Sequence, residues 1–186
     1  MNHFRADSQA TFKTRDREHV NITLDMIKSL RERSGAGIMD CKRALESTEG
    51  NEDKAMQFLL EQGIASAAKK ATRETAQGVV ESYIHAGGRI GAIVEVNCET
   101  DFVARTPEFQ SLAKEIAMQI AAMNPIVVSE EQIPEGVDGL PNQLALLKQP
   151  YIRDSSKDIR QLINETIGKT GENIQVRRFS RFELGA

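Results

Sequence analysis

The sequence predicts an α+β fold, with an N-terminal group of three short helices followed by a small antiparallel sheet of about three strands packed with helices. Three observations carry this. Apolar residues between positions 24 and 59 recur at helical spacing and are interrupted by Gly-bearing turns. Residues 80–96 alternate around a Gly-Gly turn, and residues 109–121 form an unbroken helical stripe.

Taken in order, residues 1–20 mix Arg5, Lys13, Arg15 and Arg17 with Asp7, Asp16 and Glu18, without apolar period, and read as a flexible tail. The acidic residues and the missing hydrophobic segment argue against a transit or secretory peptide. Residues 21–65 read as a three-helix docking domain. Thr23 caps the first helix, with Leu24, Ile27 and Leu30 at helical spacing, and Gly35-Ala36-Gly37 ends it. The second helix begins near Ile38, with Asp40 at the positive end of its dipole and Ile38, Cys41, Ala44 and Leu45 on one face. Asn51 caps the third, which opens on Glu52 and Asp53, buries Ala55, Phe58, Leu59 and the apolar stem of Gln62 and ends at Gly63. Residues 66–78 then form a linker, helical to position 73 and small and polar from 74.

Residues 79–186 make the α+β core. Val80, Ser82 and Ile84 alternate with Glu81, Tyr83 and His85; Ala86-Gly87-Gly88-Arg89 turns the chain; Ile90, Ala92, Val94 and Val96 line one face of the returning strand. A helix with agreeing start signals opens at Thr106-Pro107-Glu108 and carries Phe109, Leu112, Ala113, Ile116, Ala117, Ile120 and Ala121 onto the sheet. Residues 124–150 hold four prolines and read as a loop with one brief helix near 142–148. Ile159, Leu162, Ile163, Thr166 and Ile167 form a second amphipathic helix closed by Gly168. Ile174, Val176, Phe179 and Phe182 form a last strand, whose step from 176 to 179 breaks the period of two and predicts a bulge or bend.

Composition narrows the function. The 186 residues carry a net charge of −3, which argues against nucleic acid as the main partner. No apolar run is long enough to span a membrane. Cys41 and Cys98 lie outside any CxxC spacing, so neither a disulfide framework nor a zinc site is expected, and a reducing cytoplasm fits the chain best. No cofactor is expected. Trp is absent and aromatics make up 5%, which points away from a stacking or sugar-binding surface.

The stretch between the returning strand and the Thr106 helix is unusual, because Asp101-Phe102 occupies a turn that ordinarily takes Gly, Asn or Ser. Two readings stand. In one, Phe102 covers the edge of its own core and Asp101 caps the turn; in the other, a short rigid connection presents the aromatic ring to a pocket on a partner. Two further classes are weaker. An enzyme would use His85 with Cys98 or Asp101, and an RNA-binding protein would use Arg177, Arg178 and Arg181 on the sheet, where a solvated sheet edge is the simpler explanation.

Three segments carry a resemblance: residues 30–45 (LRERSGAGIMDCKRAL), 96–109 (VNCETDFVARTPEF) and 170–179 (TGENIQVRRF). On these the chain resembles translation elongation factor Ts, in a short form with a single core subdomain and a reduced insertion at 124–150. The resemblance implies a UBA-like N-terminal domain that docks on elongation factor Tu through Arg33, Gly35, Ala36, Gly37, Ile38 and Met39. It further implies that Thr100, Asp101, Phe102 and Val103 enter the GTPase domain and dislodge its magnesium ion, with Phe102 as the wedge. The implied activity is non-covalent guanine-nucleotide exchange, not enzymatic catalysis, in the cytoplasm, with a possible homodimer through the core sheet.

Overall fold

The computed structural model describes residues 22–186, so the tail expected at residues 1–20 lies outside the described residues. Helices α1 (Leu24–Ser34), α2 (Ile38–Ser47) and α3 (Glu52–Lys70) come first. Their caps follow from local chemistry: the Met26 amide donates to the Thr23 hydroxyl at 3.3 Å and the Lys54 amide to Asn51 Oδ1 at 2.9 Å. Gly35 closes α1 in the left-handed region, at φ 66°. Ile27, Leu30, Cys41, Ala44, Leu45 and Ala55 form a core of their own, with Phe58 and Leu59 half-buried against it. Ile38, expected on that buried face, is instead 54% exposed. As the first residue of α2 it leans toward the helix N-terminus, beyond which only the 35–37 loop lies.

Strands β1 (Gln77–Ile84) and β2 (Ile90–Cys98) follow, then a single helical turn α4 (Asp101–Ala104) and helix α5 (Pro107–Met123). A short helix α6 (Pro141–Leu144), strands β3 (Pro150–Tyr151) and β4 (Asp154–Asp158), helix α7 (Ile159–Thr170) and strand β5 (Ile174–Glu183) complete the described chain. The fold is α+β. One antiparallel sheet has the order β1-β2-β5, and β3 and β4 form a separate two-stranded ribbon that the alternation did not show, because its polar DSSKD strand has no apolar face. The expected bulge is present: Glu95 pairs with Arg178 and Val96 with Val176, leaving Arg177 as the extra residue.

Parity decides what the sheet buries. Ala92, Val94, Val96 and Cys98 face inward on the central strand and meet Phe109, Leu112, Ile116 and Ile120 of α5. A fully buried Ile or Phe contributes roughly 1.5–3 kcal/mol, so this stripe is the main anchor of the sheet. The segment between α5 and β3 is not an open loop. Gln149 is fully buried, donating to the Gln143 carbonyl at 2.8 Å and accepting from Gln119 at 3.2 Å, and Leu146 lies in the core.

Two glycines expected to end helices do not. Gly63 lies inside α3 and Gly168 inside α7, whose actual C-cap is the left-handed Gly171. The two residues face each other: a Cβ built on Gly168 would stand 3.8 Å from Gly63 Cα. They mark a close helix crossing, which is why α3 runs unbroken from the first core to Ala67 in the second. Gly78, expected in the linker, is a strand residue whose Cβ would clash with the Val96 carbonyl oxygen.

Gly63 and Gly78 should therefore respond oppositely to the same substitution. Gly63→Ala meets only ordinary contact, the nearest atom lying 3.8 Å away, and should stabilise by up to about 1 kcal/mol through helix propensity. Gly78→Ala should destabilise by on the order of 2 kcal/mol or more, since backbone must move. Urea unfolding of both variants checks this, and equal effects would contradict the crossing geometry.

Candidate partner-binding site

The corner between β2 and α5 is built from two successive caps. Thr100 accepts from the Val103 amide at 3.4 Å and starts α4; Thr106 accepts from the Phe109 amide at 3.3 Å and starts α5, while its hydroxyl donates to the Val103 carbonyl at 2.8 Å. Thr100, not Asp101, is thus the capping residue. Asp101 pairs with Arg105 at 2.9 Å along the same turn, and both side chains are substantially exposed. Val103 and Ala104 turn into the core.

Phe102 does not. It is 80% exposed, so it does not cover the edge of its own core. Thr100 before it and Val103 after it are held, and the ring projects from a fixed base. The base is secured from a distance by Glu172, at the turn between α7 and β5. The amides of Glu99 and Thr100 donate to Glu172 Oε2 at 3.1 and 2.9 Å, and the Thr100 hydroxyl donates to Oε1 at 2.6 Å. Hydrogen bonds to a charged group contribute on the order of 1.5–3 kcal/mol each when shielded, and less for a half-buried carboxylate such as this one. Sequence reasoning assigned Glu172 no role, because its partners lie 72 and 73 residues away and no local spacing announces them.

The second group of site residues lies at the α1–α2 loop. Arg33 pairs with Glu52 and Asp53, both at 3.1 Å, and so ties α1 to the start of α3. Gly35 is the C-cap of α1, Ala36 rests half-buried on the helical core and Gly37 is the N-cap of α2. Ile38 and the 70% exposed Met39 supply the apolar surface. The structure does not bring these residues into the same core cluster as the corner; the loop abuts α7 at Lys169, whose Cε would lie 2.7 Å from a Cβ on Gly35.

Comparison with known proteins decides the family. The family model "Elongation factor TS" matches residues 64–139. The chain is 48% identical to elongation factor Ts of Desulforamulus reducens and of Carboxydothermus hydrogenoformans, in each case over 88% of this chain and 89% of the relative. It is also 48% identical to that of Thermoanaerobacter sp. strain X514, over 88% of this chain and 95% of the relative. The chain belongs to the elongation factor Ts family. Its role is accordingly in translation elongation.

The geometry disfavours both alternatives to that role. His85 lies at the hairpin turn, bonded to the Tyr83 hydroxyl at 3.2 Å, whereas the register puts Cys98 at the opposite end of β2, roughly 26 Å away at the rise of a strand. Burial first, and the charge of Glu172 second, push the Cys98 thiol up to about 11, which silences it as a nucleophile. Arg177 and Arg178 both pair with Glu95, at 3.6 and 2.8 Å, and Arg181 with Glu183 at 2.8 Å, so the basic cluster on edge strand β5 is largely neutralised. No helix among the described residues is long and apolar enough to cross a membrane.

Because Cys41 and Cys98 are both buried, iodoacetamide at about pH 8 should label neither in the folded chain and both after denaturation. Below the raised value the Cys98 thiol stays protonated, so its labelling should begin only as pH approaches about 11. Mass spectrometry reads the outcome, and rapid labelling of Cys98 at pH 8 would revive the nucleophile.

Proposed function

We propose that the chain is a non-covalent guanine-nucleotide exchange factor for elongation factor Tu, acting in the cytoplasm. In this reading the corner Thr100-Asp101-Phe102-Val103 enters the GTPase domain, Phe102 acts as the wedge, and entry dislodges the magnesium ion at the nucleotide. The observation that carries it is the 80% exposure of Phe102 on a capped, pinned turn. A large apolar ring held in water by its own scaffold gains nothing from its own fold, whereas aromatic anchors supply much of the energy of protein interfaces. Arg33, Gly35, Ala36, Gly37, Ile38 and Met39 form the second contact, supported by the exposure of Ile38 and Met39.

The magnitudes agree with this division. A thousandfold faster release of GDP needs a barrier lowered by roughly 4 kcal/mol. Burying one Phe against the partner supplies about 1.5–3 kcal/mol, and loss of a metal bridging phosphate oxygens covers the remainder. Reciprocity then requires GDP and magnesium to weaken the factor's binding by the same free energy. No covalent step, and no cofactor of this chain, enters.

Phe102→Ala should slow catalysed release of a fluorescent GDP analogue from elongation factor Tu by at least about tenfold, with the melting temperature little changed, since an exposed ring contributes little to its own core. Wild-type exchange by the variant, or its unfolding, would sink the wedge.

The same reading includes a homodimer through the core sheet. Its outer face exposes Val80, Ile84, Ile93, Phe182 and Leu184, and no helix of the described chain packs there. At its hairpin end Ile84, Ile93 and Phe182 make an apolar patch across three strands, bordered by the Glu95–Arg178 pair beside Val80, and such a patch is the kind that a second copy covers. Sedimentation at micromolar concentration should show a dimer that Phe182→Asp converts to monomer; a wild-type chain that remains monomeric throughout would exclude it.

A further inference from the structure

The turn Gly171-Glu172-Asn173 belongs to neither proposed contact surface, yet its polar groups reach two distant segments. Glu172 holds the corner as described. Asn173, almost fully buried, donates its backbone amide to Glu99 Oε1 at 2.7 Å and its side-chain amide to the Arg73 carbonyl at 2.9 Å. Arg73 closes the ring by donating to Glu99 Oε1 at 3.4 Å. Gln175 adds a bond to the Ala71 carbonyl at 3.2 Å. Two carboxylates therefore cross over, Glu99 accepting from the α7–β5 turn and Glu172 accepting from the β2–α4 corner. The same junction grips the segment by which α3 enters β1.

We infer that Glu172 is a positioning residue for nucleotide exchange, holding the corner so that Phe102 is presented in one orientation. The inference rests on Phe102 being the wedge. Its bonds fall on the two backbone amides immediately before α4 and on the hydroxyl that caps α4, which is where a hinge would have to open. The Thr100 hydroxyl relays the constraint, since it donates to Glu172 while accepting from Val103. Without the carboxylate, two amides and a hydroxyl turn to water, and the last residues before Phe102 lose their anchor. The sheet itself stays paired, because Glu172 lies outside both apolar cores.

The inference separates orientation from affinity and from stability. Release of a fluorescent GDP analogue from elongation factor Tu, followed against factor concentration, yields a maximal rate and a half-saturating concentration. Glu172→Ala should lower the maximal rate by about tenfold and change the half-saturating concentration by less than about threefold. Glu172→Gln, which keeps a carbonyl for the amides, should recover to within about threefold of wild type. Glu172→Asp withdraws the carboxylate by one methylene without removing its charge and should also be slow, which keeps the test decisive if the alanine variant fails to fold. In the double variant Phe102→Ala/Glu172→Ala, the loss should be no more than about twofold beyond that of Phe102→Ala alone, since a misplaced ring and an absent one are equivalent. A wild-type maximal rate in both Glu172→Ala and Glu172→Asp, or losses that multiply in the double variant, overturns the role of Glu172. Normal release by Phe102→Ala overturns the wedge itself, so the two failures are distinguishable.

Discussion

Burial of Val94, Val96 and Cys98 beneath α5 leaves β2 no freedom to slide, because a one-residue shift would turn the whole row to water. β2 is also paired on both sides, so its far end is located by two ladders as well as by packing. Everything proposed for the corner begins there. Cys98 is the last residue held by that parity, Glu99 and Thr100 are caught by the Glu172 carboxylate, and core contact resumes at Val103 and Ala104 and continues at Phe109. A short span between two such fixed points can present a side chain with little conformational freedom, which lowers the entropy cost of seating it in a partner.

How much of this was legible depended on the range of the interactions involved. Thr23, Asn51 and Thr106 act through amides three residues ahead, and each was readable as a cap from its own neighbourhood. The bulge near Arg177 was readable because a broken period of two has few causes. Gly63 and Gly168 were misread for a single reason: a glycine in a helical pattern signals either an end or a close approach, and only the approach of one to the other distinguishes them. The β3–β4 ribbon carries no apolar alternation, and α4 is one turn enclosed between two caps, too short for any periodicity. For the site, the exposure of Phe102 could be posed as a question but not answered, since neither cap says which way the ring points. Glu172 left no local trace, as its partners belong to the other end of the core.

The charge beside the ring is held loosely by comparison. Asp101 and Arg105 form an exposed pair on a helical turn, and such pairs contribute only about 0–1 kcal/mol. Asp101 can therefore exchange Arg105 for a donor on another molecule at little cost, whereas the backbone beneath it cannot move without breaking the three half-buried bonds to Glu172. The corner thus combines a fixed apolar ring with a carboxylate that is free to change partners.

The distribution of the two exposed groups bears on how binding becomes acceleration. On the proposed reading, contacts that form equally well before and after nucleotide leaves raise affinity and leave the maximal rate unchanged; only contacts better made in the nucleotide-loose state accelerate release. Ile38 and Met39, at the end of a small helical core, suit the first task, and Phe102, at a pinned corner, suits the second. For the first to assist the second, the two must keep a fixed relation. The features that supply it are the α3–α7 crossing at Gly63 and Gly168 and the bonds from Asn173 and Gln175 to the segment leaving α3. On that reading no reactive group is needed, and the thiol nearest the corner is kept protonated by burial and by the same carboxylate that holds the corner.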